Sequence, residues 1–198
     1  MKINKISKDL YEIENFVTSE QSDKILDFFS SLKEDDWFFE DSNNPNYKDE
    51  LWYGRQYHGK RPEVFSEITQ STEKLFSTLM EPVYLAIQRY KKNDAINEHR
   101  DYWLYDKPYH IRYGICIYYN DNYSGGELEY PELGIIHKPK ARSLVIHGGN
   151  ILHKSLPVTS EDIRYFSTGF IKGSKESPSA LNKEIFADVY EEDGSTYA

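Results

Sequence analysis

The chain has a single cysteine, Cys116, so it has no internal disulfide framework and suits a reducing compartment. It also lacks an excess of positive charge. Lys and Arg number 24 against 33 Asp and Glu, a net charge of -9, which argues against broad contact with a phosphate backbone. Long apolar runs are missing as well. Met1 to Tyr11 mixes Lys and Asp with isolated apolar residues, and no stretch reaches the length needed to cross a bilayer. No internal repeat or low-complexity segment interrupts the chain. The expectation is a soluble, cytoplasmic protein with no membrane partner. Aromatic residues, by contrast, are plentiful: 15% of the chain, with 17 Tyr, a composition suited to β-strands and barrel interiors.

At 198 residues the chain reads as one domain, 1–198, with a supporting part (1–82), a β-rich core (83–172) and a C-terminal extension (173–198). Ile6 to Phe16 predicts a first strand. Thr18-Ser19-Glu20-Gln21 forms a capping box, and Ile25, Phe28, Phe29 and Leu32 follow at helical spacing. Trp37-Phe38-Phe39 reads as a short strand, and Asp41 to Lys48 as a loop. A second helix starts near Pro62, with Phe65, Ile68, Leu75, Phe76 and Leu79 as its stripe and Pro82 as its stop. From Val83 the period changes to two. Ile111 to Tyr119 is a strong strand, and short runs follow at 127–130, 135–138, 143–147, 151–153 and 164–170. Many short strands at this spacing mean a sandwich or barrel, so the fold class is mainly β with flanking helices (α+β). A short helix is expected over 178–190, before a solvated acidic tail at 191–194.

His99 and Asp101 are two residues apart, so on an extended strand they share a face. His153, brought alongside by a neighbouring strand, would complete a two-histidine, one-carboxylate triad with open positions, a set that suits non-haem Fe(II). Arg164, eleven residues further on, presents a planar fork that matches a carboxylate.

These residues form part of an ordered series: His99-Arg100-Asp101, Cys116-Ile117-Tyr118-Tyr119-Asn120, Gly125-Gly126-Glu127-Leu128, His153-Lys154-Ser155-Leu156-Pro157-Val158, then Arg164-Tyr165. The series resembles the prolyl-4-hydroxylase-like branch of the Fe(II)/2-oxoglutarate-dependent dioxygenases over residues 83–170. The resemblance implies a double-stranded β-helix, a jelly-roll (cupin-like) barrel braced by the N-terminal helices. It makes His99, Asp101 and His153 the metal ligands, and makes Arg164 the reader of the distal carboxylate of 2-oxoglutarate. Tyr118 would donate its hydroxyl to that carboxylate; Thr168, on Arg164's face, and Tyr90, nine residues before His99, join the co-substrate set. The implied cofactors are Fe(II), 2-oxoglutarate and O2, with ascorbate as a further candidate. Succinate and CO2 would be released as a substrate C–H bond is hydroxylated, and no separate catalytic base is needed.

By family branch the substrate is a prolyl residue of a protein or peptide. Alternatives are a free amino acid or other small molecule, a nucleic-acid dealkylase, or a non-catalytic metal- or ligand-binding barrel. Phe166 to Lys172 lacks the second arginine that dealkylases of this scaffold carry, which disfavours a nucleic-acid substrate. Trp103, Tyr105 and Tyr109 are candidates for the substrate rim. Gly125-Gly126 is expected to adopt a turn closed to residues with a Cβ, and Cys116 to face the interior. His58, His110, His137 and His147 are read as structural. Oligomeric state is not legible.

Overall fold

A computed structural model of the chain describes residues 1–39, 55–101, 110–173 and 179–189. Its strands are β1 (Lys2–Ser7), β2 (Leu10–Glu14), β3 (Trp37–Phe39), β4 (Arg55–Tyr57), β5 (Phe76–Thr78), β6 (Ala86–Tyr90) and β7 (Ile96–His99). They continue with β8 (His110–Tyr118), β9 (Leu128–Tyr130), β10 (Ile135–His137), β11 (Leu144–Gly148), β12 (His153–Ser155), β13 (Arg164–Gly173) and β14 (Ala180–Leu181). The two α-helices among the described residues are α1 (Ser19–Ser31) and α2 (Val64–Glu73). One sheet has eight strands in the order β1-β2-β11-β8-β13-β6-β4-β3, and a second has four, β10-β9-β12-β7; β14 and β5 form a small separate pair. All the pairings are antiparallel.

Alternation along β8 explains how the layers stack. Tyr113, Ile115 and Ile117 point outward into a core shared with Ile25 and Phe29 of α1 and Phe65 and Ile68 of α2. Tyr118 points the other way, joining Tyr90, Leu128, Tyr130, Val145 and Phe166 in the space between the sheets. Burying each large apolar side chain in these layers is worth about 1.5–3 kcal/mol. α1 is fixed at its start by the expected box, Thr18 accepting from Gln21 N while Gln21 accepts from Thr18 N. Its Ser22 hydroxyl donates to the carbonyl of Tyr119 at 3.1 Å, and Phe29 stacks on Tyr165 at 4.8 Å, so the helices brace the large sheet.

Several local expectations change. The first strand is a hairpin of two, β1 and β2, because Asp9 turns the chain at φ 53. α2 ends at Glu73, short of the expected stripe: Phe76 belongs to β5 and pairs with Leu181, so the apolar period continues past the helix into a strand. The helix expected over 178–190 is replaced, within the described residues, by β14 and a run of turns in which Phe186 N donates to the carbonyl of Asn182. Gly125 and Gly126 take φ 74 and 69, as the turn requires, and a Cβ on Gly125 would strike the carbonyl of Pro157. The 41–48 loop and the 191–194 tail lie outside the described residues.

Candidate active site

β12 pairs with β7 in the four-stranded sheet, and its register sets His153 directly opposite His99. The two imidazole centroids are 4.4 Å apart. Each ring is held by a backbone carbonyl: His99 Nδ1 donates to Asn97 O at 2.7 Å, and His153 Nδ1 to Ile151 O at 2.9 Å. With the proton fixed on Nδ1, each Nε2 presents a bare lone pair. Both lone pairs aim at one carboxylate oxygen, Asp101 Oδ1, at 3.6 Å from His99 and 3.8 Å from His153. One ligand atom from each of the three lies within 4.8 Å of the others. Asp101 is buried and falls just beyond the end of β7, so the chain turns to present it rather than carrying it on the strand face as the two-residue spacing predicts.

Electrostatics favour a cation here. Burial alone would raise the Asp101 carboxyl, but the hydrogen bond from His147 and the neighbouring His99 and His153 hold it well below the ordinary carboxylate range. Burial, then the neighbouring His147, lowers His153 to about 3, so its ring is neutral at physiological pH and free to ligate.

His147 is the residue that sequence reasoning missed. It is buried on β11, and its Nε2 lies 3.0 Å from Asp101 Oδ2, whereas Oδ1 is the oxygen in contact with the other two histidines. A carboxylate only accepts, so Nε2 carries the proton. The contact exists because Gly114, the register partner of His147 on β8, has no side chain: a Cβ there would overlap both Asp101 Oδ2 and His147 Nε2. His137 faces Glu12 at 3.5 Å instead, and the side chain of His110 lies outside the described residues.

Arg164 opens β13 in the eight-stranded sheet and is fully buried. Nη1 donates to the carbonyl of Gly126 at 3.0 Å and to the Ser155 hydroxyl, and Nη2 donates to Tyr118 Oη at 3.0 Å. The guanidinium carbon lies 5.2, 4.9 and 4.6 Å from the ring centres of Tyr90, Tyr118 and Phe166. Its Nε has no partner, and among the described residues no carboxylate comes within ion-pairing distance of it. Burial pushes the Tyr118 phenol well above 10, so it keeps a proton to donate.

The triad and Arg164 line one cleft of about 330 Å3, together with Tyr90 and Thr168. Thr168 accepts from Gln88 Nε2 at 2.6 Å. Gln88 and Gln56 are register partners on β6 and β4 and line the same cleft, which is otherwise largely apolar there, with Tyr84, Ala86, Ile96 and Phe170. Cys116 faces the cleft, and burial pushes its thiol up to about 12. The Trp103, Tyr105 and Tyr109 cluster lies outside the described residues. No helix among the described residues is long and apolar enough to cross a membrane.

No family model and no curated protein matches the chain. Solved structures do. A viral collagen prolyl hydroxylase from Paramecium bursaria Chlorella virus-1, in complex with 2-oxoglutarate, superimposes with a TM-score of 0.60 at 16% identity, covering 84% of this chain and 97% of that one. A Pseudomonas putida prolyl-4-hydroxylase gives 0.61 at 15% identity, over 83% and 92% of the two chains. A Trichoplax adhaerens prolyl hydroxylase, in complex with a hypoxia inducible factor peptide fragment, gives 0.62 at 13% identity, over 93% and 89%. In fold, the chain is therefore similar to these three prolyl hydroxylases over most of its length.

Proposed function

We propose that the protein is an Fe(II)- and 2-oxoglutarate-dependent dioxygenase that hydroxylates a C–H bond of a prolyl residue in a peptide or protein, with the chain acting as one domain. One observation carries this reading. A single cleft holds two imidazole nitrogens and a carboxylate oxygen within 4.8 Å of one another and, beside them, a buried guanidinium that no carboxylate among the described residues pairs with. A buried guanidinium with no ion-pair partner is costly, and a dicarboxylate reaching it from a metal ion held by the three donors would pair with it. The donor set of two imidazoles and a carboxylate fits Fe(II).

In this reading His99, Asp101 and His153 hold the metal, and Arg164 and Tyr118 grip the distal carboxylate of 2-oxoglutarate. Bound iron and 2-oxoglutarate supply the oxidising chemistry, in which O2 is consumed and succinate and CO2 leave as the substrate is hydroxylated. The chain's own work is to fix the ligand atoms, keep the His153 ring unprotonated and screen the site from water with Tyr90, Leu128 and Phe166.

Two observations support a peptide-bonded substrate over a free amino acid. Among the described residues, the triad, His147 and Arg164 are the only charged or ionisable polar groups in the cleft apart from phenols and a thiol. A free amino acid would bury an ammonium and a carboxylate there with no further partner among the described residues. Gln56 and Gln88 offer neutral amides instead, which suit a peptide group.

Anaerobic titration with Fe(II) and then 2-oxoglutarate should develop a weak charge-transfer band. Its absence would remove the enzyme reading. Succinate release is then compared between proline-containing peptides and free amino acids, L-proline included; stimulation by the free amino acids alone would replace the peptide assignment.

A further inference from the structure

We propose that His147 is a positioning residue that keeps Asp101 a one-oxygen ligand to the metal. The proposal rests on the Fe(II) reading of the triad. The two carboxylate oxygens face different partners. Oδ1 looks toward His99 and His153 at 3.6 and 3.8 Å, while Oδ2 is taken by His147 Nε2 at 3.0 Å. His147 is not itself a member of the ligand cluster.

His147 is held in place by packing and pairing rather than by a second hydrogen bond, since Nδ1 has no partner. Its strand is paired on both sides, to Leu10 of β2 and Gly114 of β8. Its ring lies 4.1 Å from that of His153 and 6.1 Å from that of Tyr130, centre to centre. The missing Cβ at Gly114 lets Oδ2 be drawn back toward the large sheet.

The consequence follows from counting coordination positions. A metal ion held by these three protein atoms alone would keep positions open for a co-substrate. Were Oδ2 free to swing onto the ion, Asp101 would occupy one of those positions. A hydrogen-bond donor fixed on Oδ2 prevents this, and also sets the direction of Oδ1.

The test uses Co(II), whose visible spectrum reports coordination number, in the full-length protein. His147→Phe keeps the volume and removes the donor. It should weaken Co(II) binding by about 10- to 100-fold, change the visible spectrum, and reduce the further spectral change on adding 2-oxoglutarate. His147→Gln, with an amide N–H at nearly the same reach, should restore all three. If His147→Phe does not fold, His147→Asn, whose amide stops short of Oδ2, carries the same expectation. Wild-type affinity and spectrum in the donor-lacking variant overturn the proposal, as does a defect that His147→Gln fails to repair. Wild-type protein that binds no Co(II) in a His99-dependent way overturns the metal reading instead.

Discussion

His99 and His153 face each other across adjacent antiparallel strands, and each gives its Nδ1 proton to the carbonyl two residues before it. The same local device therefore aims both rings. His99→Ala or His153→Ala should abolish Fe(II) binding and substrate-independent conversion of 2-oxoglutarate to succinate. Isothermal titration with the metal and a succinate assay check it; undiminished turnover in either variant means the ligands are misassigned.

Arg164→Lys keeps a charge and loses the fork that donates to Tyr118, Ser155 and Gly126. Charge-assisted hydrogen bonds are worth about 1.5–3 kcal/mol each, so 2-oxoglutarate should bind about 10- to 100-fold more weakly. Metal affinity should stay put. Titration of the metal-loaded protein with 2-oxoglutarate measures both.

Gln88→Leu removes an amide from the cleft wall and leaves the Thr168 hydroxyl without its donor. The KM for a peptide substrate should rise about tenfold, from the loss of about 1 kcal/mol or slightly more, while the Kd for 2-oxoglutarate holds. An unchanged KM would take Gln88 out of substrate recognition.

Gly114→Ala puts a methyl group where Asp101 Oδ2 and His147 Nε2 meet. Overpacking of this kind costs about 1–3 kcal/mol, and here it also displaces the Asp101 carboxylate. Both the melting temperature of the metal-free protein and its metal affinity should fall.

Acid should weaken the metal-free protein through His153. Its folded-state pKa is lowered from an ordinary 6.5 to about 3 by burial and then by His147. Between those values the unfolded chain binds a proton that the folded protein refuses, so stability is lost as pH falls, at up to about 1.4 kcal/mol per pH unit. His99 works in the opposite sense: burial there is outweighed by Asp101, its pKa is raised, and it adds stability on the acid side. The difference between wild type and His153→Gln isolates the first effect. Urea unfolding from about pH 7 to about pH 4 should give a flatter pH dependence for the variant.

Much of the site was readable because its chemistry is carried by local signatures. His99-x-Asp101 is a tripeptide, and His153 and Arg164 stand eleven residues apart with Pro157-Val158 between them. His147 was not readable in the same way, because its partner is reached only through the pairing of β11 with β8. A signal did exist: alternation along Leu144-Val145-Ile146-His147 puts His147 on the face of Val145, which points between the sheets. Gln56 and Gln88 acquire meaning only when β4 lies beside β6, a pairing no local pattern announces. The start of the helix capped by Thr18 is legible in the sequence, whereas the end of α2 is not, because the apolar period runs on into β5.

The paired imidazoles ride on the four-stranded layer and Arg164 on the eight-stranded one, and among the described residues no ladder joins these layers. A dicarboxylate anchored to the ion at one end and to the guanidinium at the other would rivet the sandwich through its middle. Loading then stiffens the protein as a whole: amide exchange in β7, β12 and β13 should slow more with ion and dicarboxylate together than the sum of their separate effects.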